Sequence, residues 1–121
     1  MNILLVDDDA FLRDMYATKF RELGHTIDAA QTAEQALTKL REGEYDVILL
    51  DMVMPGMSGV DLLKQLKAEK VGGNPTCIML SNQSEEEDKK NATEAGAKGY
   101  IVKAELIPSE VVERVLKIVE K

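Results

Sequence analysis

Residues 3–9 read ILLVDDD, so four consecutive apolar residues are followed directly by three aspartates. Three later stretches repeat this arrangement with a different polar end: residues 47–51 (VILLD), 77–81 (CIMLS) and 100–103 (YIVK). Short apolar runs of this kind are typical of strands buried on both faces, as in parallel sheets. Ligands of open parallel sheets bind outside the carboxyl ends of the strands. The sequence therefore predicts carboxylates, a hydroxyl and an ammonium on one edge of a sheet.

The segments between these runs have apolar residues at helical spacing, and residues 26–30 form a further, weakly apolar strand. Residues 32–35 (TAEQ) have the pattern of a capping box at a helix start. Strands that alternate with helices predict βαβ units around a parallel sheet. The predicted helices run from Asp9 to Gly24, from Thr32 to Gly43, from Val60 to Leu66, from Ser84 to Ala95, and from Pro108 onward.

The fourth predicted helix is unusual, because residues 85–90 read EEEDKK and offer almost nothing to bury. Its acidic start and basic continuation suit the helix dipole. Only Ala92 and Ala95 are suited to a core. We interpret it as a solvated helix held by charge pairs, which is compatible with a marginal helix that can shift.

Composition limits the function classes. A chain of 121 residues predicts one domain, residues 1–121, and the net charge of -7 argues against a nucleic-acid or anionic-membrane surface. No apolar stretch approaches the roughly 20 residues of a membrane span. The first strand follows Met1 and Asn2 directly, so we expect no signal peptide. Cys77 is the single cysteine and lies in an apolar run, which predicts an inert buried thiol and no internal disulfide. We expect a cytoplasmic protein.

The polar strand ends suggest phosphoryl chemistry. Adjacent carboxylates such as Asp7 and Asp8 repel each other unless a cation binds between them, and hard oxygen ligands favour Mg²⁺. Asp51 could complete that site or act as a nucleophile that attacks phosphorus. Lys103 would then neutralise phosphoryl charge, and Ser81 would donate a hydrogen bond to it.

Each of these residues has a simpler interpretation when taken alone. Asp8 or Asp9 could be only the N-cap of the following helix. Asp51 and Ser81 are residue types that are common in loops, and a lone lysine is most often solvated. The joint occurrence at four strand ends is what favours a functional site.

The chain resembles the receiver domain of two-component response regulators along essentially its whole length. The similarity is carried by residues 6–8 (VDD), 51–59 (DMVMPGMSG), 80–82 (LSN) and Lys103. It implies a doubly wound α/β fold of the flavodoxin-like (βα)5 type, with a five-stranded parallel sheet in the order 2-1-3-4-5. It also implies a phosphoacceptor signalling domain that is not an enzyme acting on a separate substrate. Such a domain catalyses its own phosphorylation and dephosphorylation.

The resemblance implies particular roles at the acidic cluster. Asp51 would accept phosphate from a sensor histidine kinase or a phosphotransfer protein. Asp8, Asp51 and the backbone carbonyl of Val53 would bind Mg²⁺ directly, while Asp7 would act mainly through a bound water.

The resemblance also implies that Ser81 and Lys103 contact the phosphoryl oxygens. Tyr100 would be the switch aromatic, whose rotamer follows the movement of Ser81, although an edge-strand aromatic packed on the last helix is an equal alternative. Ala104 departs from the family, in which proline often follows the lysine, frequently after a cis peptide. Because a cis bond before a non-proline residue costs roughly 3 kcal/mol, either the Lys103–Ala104 bond is trans or its loop is strained.

The implied output is a switch in the surface of the fourth helix, fifth strand and fifth helix. That surface would control an unknown output partner, with a phosphorylation-dependent dimer as an option and no direct nucleic-acid or membrane binding.

Three alternatives stay open. A phosphatase of the haloacid dehalogenase type also uses a strand-end aspartate, but Phe11 stands where threonine is expected. A flavodoxin-like flavin binder needs a phosphate loop where Asp7, Asp8 and Asp9 would repel phosphate. A purely structural receiver is disfavoured because every expected site residue is present.

Overall fold

The computed structural model describes residues 1–120, which form one sheet flanked by helices. The strands are β1 (Asn2–Val6), β2 (Thr26–Ala30), β3 (Val47–Leu50), β4 (Thr76–Ser81) and β5 (Gly99–Val102). The helices are α1 (Ala10–Glu22), α2 (Ala33–Glu42), α3 (Gly59–Glu69), α4 (Glu86–Glu94) and α5 (Pro108–Glu120). All strand pairs are parallel and their order is β2-β1-β3-β4-β5, which confirms the predicted topology.

The three central strands are buried on both faces, which explains their uninterrupted apolar sequences. Alternate residues of each strand enter different core layers. Leu4 and Val6 of β1 pack in the layer that includes residues of α2, α3 and α4, whereas Ile3 and Leu5 pack in the layer of α1 and α5. Each layer fixes one face of the sheet, so the strand ends are held in place.

The strand register brings the predicted site residues to one level. Val6 pairs with Leu50, so the residues that follow them, Asp7 and Asp51, lie side by side at the carboxyl edge. On the other side of the sheet centre, Ser81 ends β4 opposite Val102 of β5, and Lys103 follows directly.

Helix capping distinguishes α4 from the first three helices. Asp9, Thr32 and Ser58 each accept a backbone hydrogen bond at the start of α1, α2 and α3. Glu85 precedes α4 without a side-chain cap bond, and Ala92 is the residue that this helix buries. The helix is also shorter than the predicted 84–95, and the prediction that it has little to bury is confirmed.

Some sequence patterns were only partly right. Phe11 and Leu23 fit the period of α1, yet they are 71% and 57% exposed because they lie at the two ends of the helix, outside its buried face. The capping-box glutamine, Gln35, accepts from the N–H of Gln31 at 2.9 Å, one residue before the cap.

Cys77 is buried as predicted, and burial raises the pKa of its thiol to about 11. Among residues 1–120, the helices are too short or too polar to cross a membrane.

Candidate phosphoacceptor site

The side chain of Lys103 joins two of the predicted carboxylates at the carboxyl edge of the sheet. Its Nζ lies 2.9 Å from Oδ2 of Asp51 and 3.0 Å from Oδ2 of Asp7. All three residues are buried, with 6%, 8% and 1% exposure for Lys103, Asp51 and Asp7. Buried charges of this kind are tolerated only when they are paired and hydrogen-bonded. The cation is therefore an integral part of the site rather than a solvated lysine.

Burial and the neighbouring charges alter the pKa values of Asp51 and Lys103. Burial raises the pKa of Asp51, and the hydrogen bond and charge of Lys103 offset part of that rise. Burial acts to lower the pKa of Lys103, but the hydrogen bonds and charges of Asp51 and Asp7 outweigh it and raise this pKa. Lys103 is consequently a fixed cation at neutral pH, and it favours the ionised form of Asp51.

Asp7 is held from two sides. Its Oδ2 accepts from Lys103, and its Oδ1 accepts from the backbone N–H of Asp9 at 2.9 Å. Asp9 in turn caps α1 through the N–H of Leu12 at 3.1 Å. The N-cap role that was open between Asp8 and Asp9 therefore belongs to Asp9, and the side chain of Asp8 is left exposed at the edge.

Three carboxylates form a candidate metal site. Oxygen atoms of Asp7, Asp8 and Asp51 lie within 4.8 Å of one another. One ammonium, that of Lys103, contacts this group within the described residues, so a local excess of negative charge remains. Hard oxygen donors with excess negative charge fit a divalent cation such as Mg²⁺.

The loop after β3 orients the carboxylate of Asp51. The N–H of Val53 donates to Oδ1 of Asp51 at 3.2 Å, so each oxygen of this carboxylate accepts a different hydrogen bond. Gly59 closes the loop with a bond from its N–H to the carbonyl of Met52 at 2.9 Å. A Cβ on Gly59 would overlap the carbonyl oxygen of Asp51, so this position requires glycine. The sequence motif contained Gly59, but nothing in the sequence alone showed this close approach.

Ser81 and Tyr100 are linked through the loop after β4. The Ser81 hydroxyl oxygen accepts from the N–H of Gln83 at 3.2 Å, and the carbonyl of Gln83 accepts from the Tyr100 hydroxyl at 2.7 Å. The same hydroxyl lies 3.5 Å from Sδ of Met52, the residue after Asp51. Tyr100 thus connects the loop after β3 with the loop after β4.

Two alternatives from the sequence are resolved here. Tyr100 packs against the core layer that includes Ala92 of α4 and not against α5, so the alternative of packing on the last helix is wrong. The cause is the alternation of side chains along β5. Ile101 points toward α5, so Tyr100 points to the opposite face of the sheet. The Lys103–Ala104 peptide is trans, as none of the described peptides is cis.

One further contact at the site had no sequence signal. The guanidinium of Arg13 donates to the backbone carbonyl of Asp7 at 2.8 Å, which ties α1 to the end of β1. An arginine one turn into a helix is usually a surface residue, and only the fold shows what it reaches.

The comparisons with known proteins agree with this geometry. The response regulator receiver domain family matches residues 3–116, and the chain belongs to this family. Chemotaxis protein CheY-3 of Vibrio cholerae is 36% identical over 104 residues, which cover 85% of this chain and 80% of that protein. Transcriptional regulatory protein ResD of Bacillus subtilis is 38% identical over 113 residues, covering 93% of this chain and 45% of that protein. The chain thus spans about half the length, or less, of several curated relatives.

Solved structures show the same architecture. Chemotaxis response regulator CheY4 of Vibrio cholerae superposes with a TM-score of 0.89 at 26% identity, covering 97% of each chain. Response regulator TrrA of Thermotoga maritima, in complex with Mg²⁺ and BeF, gives a TM-score of 0.81 at 32% identity, also covering 97% of each chain. The receiver domain of two-component signalling and its flavodoxin-like fold, both predicted from the sequence, are confirmed. The phosphatase and flavin-binder alternatives are not favoured.

Proposed function

We propose that this receiver domain accepts a phosphoryl group on Asp51 in a Mg²⁺-dependent reaction. The donor would be a phosphohistidine of a sensor histidine kinase or a phosphotransfer protein. The observation that carries this proposal is the buried contact of 2.9 Å between Lys103 and Asp51, beside two further carboxylates. The domain would act in the cytoplasm and catalyse only its own phosphorylation and dephosphorylation.

The acceptor is positioned for nucleophilic attack. Hydrogen bonds from Lys103 and from the Val53 N–H reach different oxygens of Asp51, which orients the carboxylate and favours its ionised form. Attack forms a bond from an Asp51 oxygen to phosphorus, and the bond from phosphorus to the donor nitrogen breaks. Lys103 is close enough to exchange its contact with Asp51 for one with a phosphoryl oxygen. The hydroxyl of Ser81, at the neighbouring strand end, would donate to another phosphoryl oxygen.

The carboxylate cluster fits a divalent cation. Asp8 is exposed at the edge and Asp51 is its neighbour, so these two side chains and the carbonyl of Val53 would ligate the metal. Asp7 already accepts from Lys103 and a backbone N–H, which suits an indirect role through water. When bound, Mg²⁺ would supply positive charge beside the phosphoryl oxygens.

The signal would pass to α4, β5 and α5. A phosphoryl group adds about -1.5 to -2 charges at the edge and would draw Ser81 and Lys103 toward it. Gln83 is hydrogen-bonded to Ser81 through its N–H and to Tyr100 of β5 through its carbonyl. The loop after β4 and strand β5 would therefore shift together. Because α4 has no side-chain cap and is weakly buried, it can follow at low cost. The changed surface would bind an output partner or a second phosphorylated copy. The net charge of -7 argues against direct nucleic-acid or membrane binding.

Intact-protein mass spectrometry after incubation with acetyl phosphate and Mg²⁺ tests the proposal. The wild-type domain should gain one phosphoryl group, and an Asp51→Asn variant should gain none. Asp9→Asn is the matched control, since asparagine keeps the N-cap while one carboxylate is lost from the same edge. Full labelling of Asp51→Asn, or no labelling of the wild type, would overturn the proposal.

A further inference from the structure

A cavity of about 680 Å³ opens beside the acceptor, between the loop after β3, α3 and the helix α4. Its apolar lining includes Met52 and Val53 of the loop after β3. Its polar lining includes Gln83, Lys64 of α3 and, on α4, Asn91 and Glu94. No step of the proposed phosphoryl transfer uses Lys64, Asn91 or Glu94.

Two residues that line the cavity are hydrogen-bonded to Asp51 and Ser81, which take part in the proposed transfer. Val53 donates its N–H to Asp51 Oδ1 at 3.2 Å, and Gln83 donates its N–H to the Ser81 hydroxyl at 3.2 Å. Attacking and leaving atoms lie roughly in line across a transferred phosphoryl group. Asp51 is itself buried, and the two loops that carry Val53 and Gln83 border the site through these hydrogen bonds. The cavity is the space that adjoins those loops.

The charges on its lining are suited to discriminate between leaving groups. Lys64 is the one cation among the lining residues. Its ammonium takes part in none of the ion pairs found within residues 1–120. Glu94 lies on the α4 side of the same cavity, so an anion in the cavity is attracted by one residue and repelled by the other.

We propose that this cavity receives the leaving group of small phosphodonors, and that Lys64 makes the domain favour donors with a carboxylate leaving group, namely acyl phosphates. The inference rests on the proposed function, since it concerns transfer to Asp51. In the step, an Asp51 oxygen forms the bond to phosphorus and the bond from phosphorus to the acyl oxygen breaks. The electron pair departs with the carboxylate, and no proton is required. With phosphoramidate the bond from phosphorus to nitrogen breaks and neutral ammonia leaves, so Lys64 gives no comparable assistance.

The test compares phosphorylation rates with acetyl phosphate and with phosphoramidate, at saturating Mg²⁺ and about 0.15 M salt, where the screening length is about 8 Å. The measured quantity is the ratio of the two rate constants, from time courses of intact protein mass. Lys64→Gln should lower this ratio about two- to fivefold, as a single nearby unit charge would. Glu94→Gln should raise it, because it removes the opposing charge.

Lys67→Gln is the matched control, since it makes the same change in net charge one turn away. The Lys67 side chain extends toward Gly96, where its Cε would lie 3.0 Å from an added Cβ, and it is not part of this cavity's lining. The ratio of the two rate constants for Lys67→Gln should equal that of the wild type. An unchanged ratio in Lys64→Gln, or an equal change in Lys67→Gln, would overturn the inference and leave transfer to Asp51 intact. Failure of the wild type to react with either donor would instead overturn the proposed function, and this inference with it.

Discussion

Replacing Lys103 with methionine should strongly destabilise the metal-free domain. Methionine keeps an unbranched apolar stem but removes the ammonium that contacts Asp7 and Asp51 at 3.0 and 2.9 Å. Both carboxylates would stay buried without their counter-charge. Removing one partner of a buried ion pair typically costs about 3–5 kcal/mol. For a domain of 121 residues this corresponds to a fall in Tm of roughly 10–20 °C.

Urea unfolding at pH 7 in the presence of a chelator measures this effect. The pair-specific part comes from a double-mutant cycle with Asp51→Asn, in which we expect a coupling free energy of about 1–3 kcal/mol with Lys103→Met. Millimolar Mg²⁺ should restore part of the lost stability of Lys103→Met, because a divalent cation replaces the missing positive charge. A loss below about 1 kcal/mol, or no coupling with Asp51, would refute the claim that these charges depend on one another.

The pH dependence has a defined sign. Asp51 and Asp7 outweigh burial and raise the pKa of Lys103 above its ordinary value of 10.5. A raised lysine pKa stabilises the fold fully below the unfolded-state value, and the stabilisation is lost as pH rises through the folded-state value. The stability difference between wild type and Lys103→Met should therefore be unaffected by titration of Lys103 from neutral pH to about pH 10 and shrink above it. A difference that shrank between pH 7 and 9 would contradict this assignment.

Three further outcomes are expected. Mg²⁺ should stabilise the wild-type domain by about 1.4 kcal/mol at ten times its Kd, and an Asp8→Ala variant much less; an equal gain in both would place the ion elsewhere. Amide exchange should change most within residues 82–104 when a beryllofluoride phosphate mimic binds, and a change confined to α1 would exclude the proposed switch. Val53→Asp and Val53→Asn should each change the rate of dephosphorylation severalfold with Mg²⁺ affinity nearly intact, because the side chain is 56% exposed and the proposed metal contact is the backbone carbonyl. Unchanged hydrolysis in both variants would show that this side chain does not gate the attacking water.

The strand ends could be predicted because the central strands are buried on both faces, so their interior residues are apolar up to the carboxyl end. Asp7, Asp51 and Ser81 mark those ends, and parallel topology brings them to the same edge. The sequence also indicated how little α4 buries, since residues 85–90, EEEDKK, at its start are all charged.

What the sequence could not supply were contacts between residues far apart in the chain. Lys103 was expected to face a phosphoryl group, but its contact with Asp7 joins residues 96 positions apart and depends on the whole sheet. The face to which Tyr100 points depends on which residue of β5 pairs with which residue of β4, and that register is set by packing. Phe11 is apolar, but it lies at the helix start and outside the buried face of α1, a position that the apolar pattern alone did not reveal.

The central claim is that Asp51, and no other residue at this edge, carries the phosphoryl group. Reduction of the phosphorylated domain with sodium borohydride converts an aspartyl phosphate into homoserine, and peptide sequencing by mass spectrometry then locates it. We predict homoserine at position 51 alone, and its absence when Mg²⁺ is chelated before the donor is added. Homoserine at position 7 or 8, or phosphate retained on Ser81 after reduction, would contradict the account.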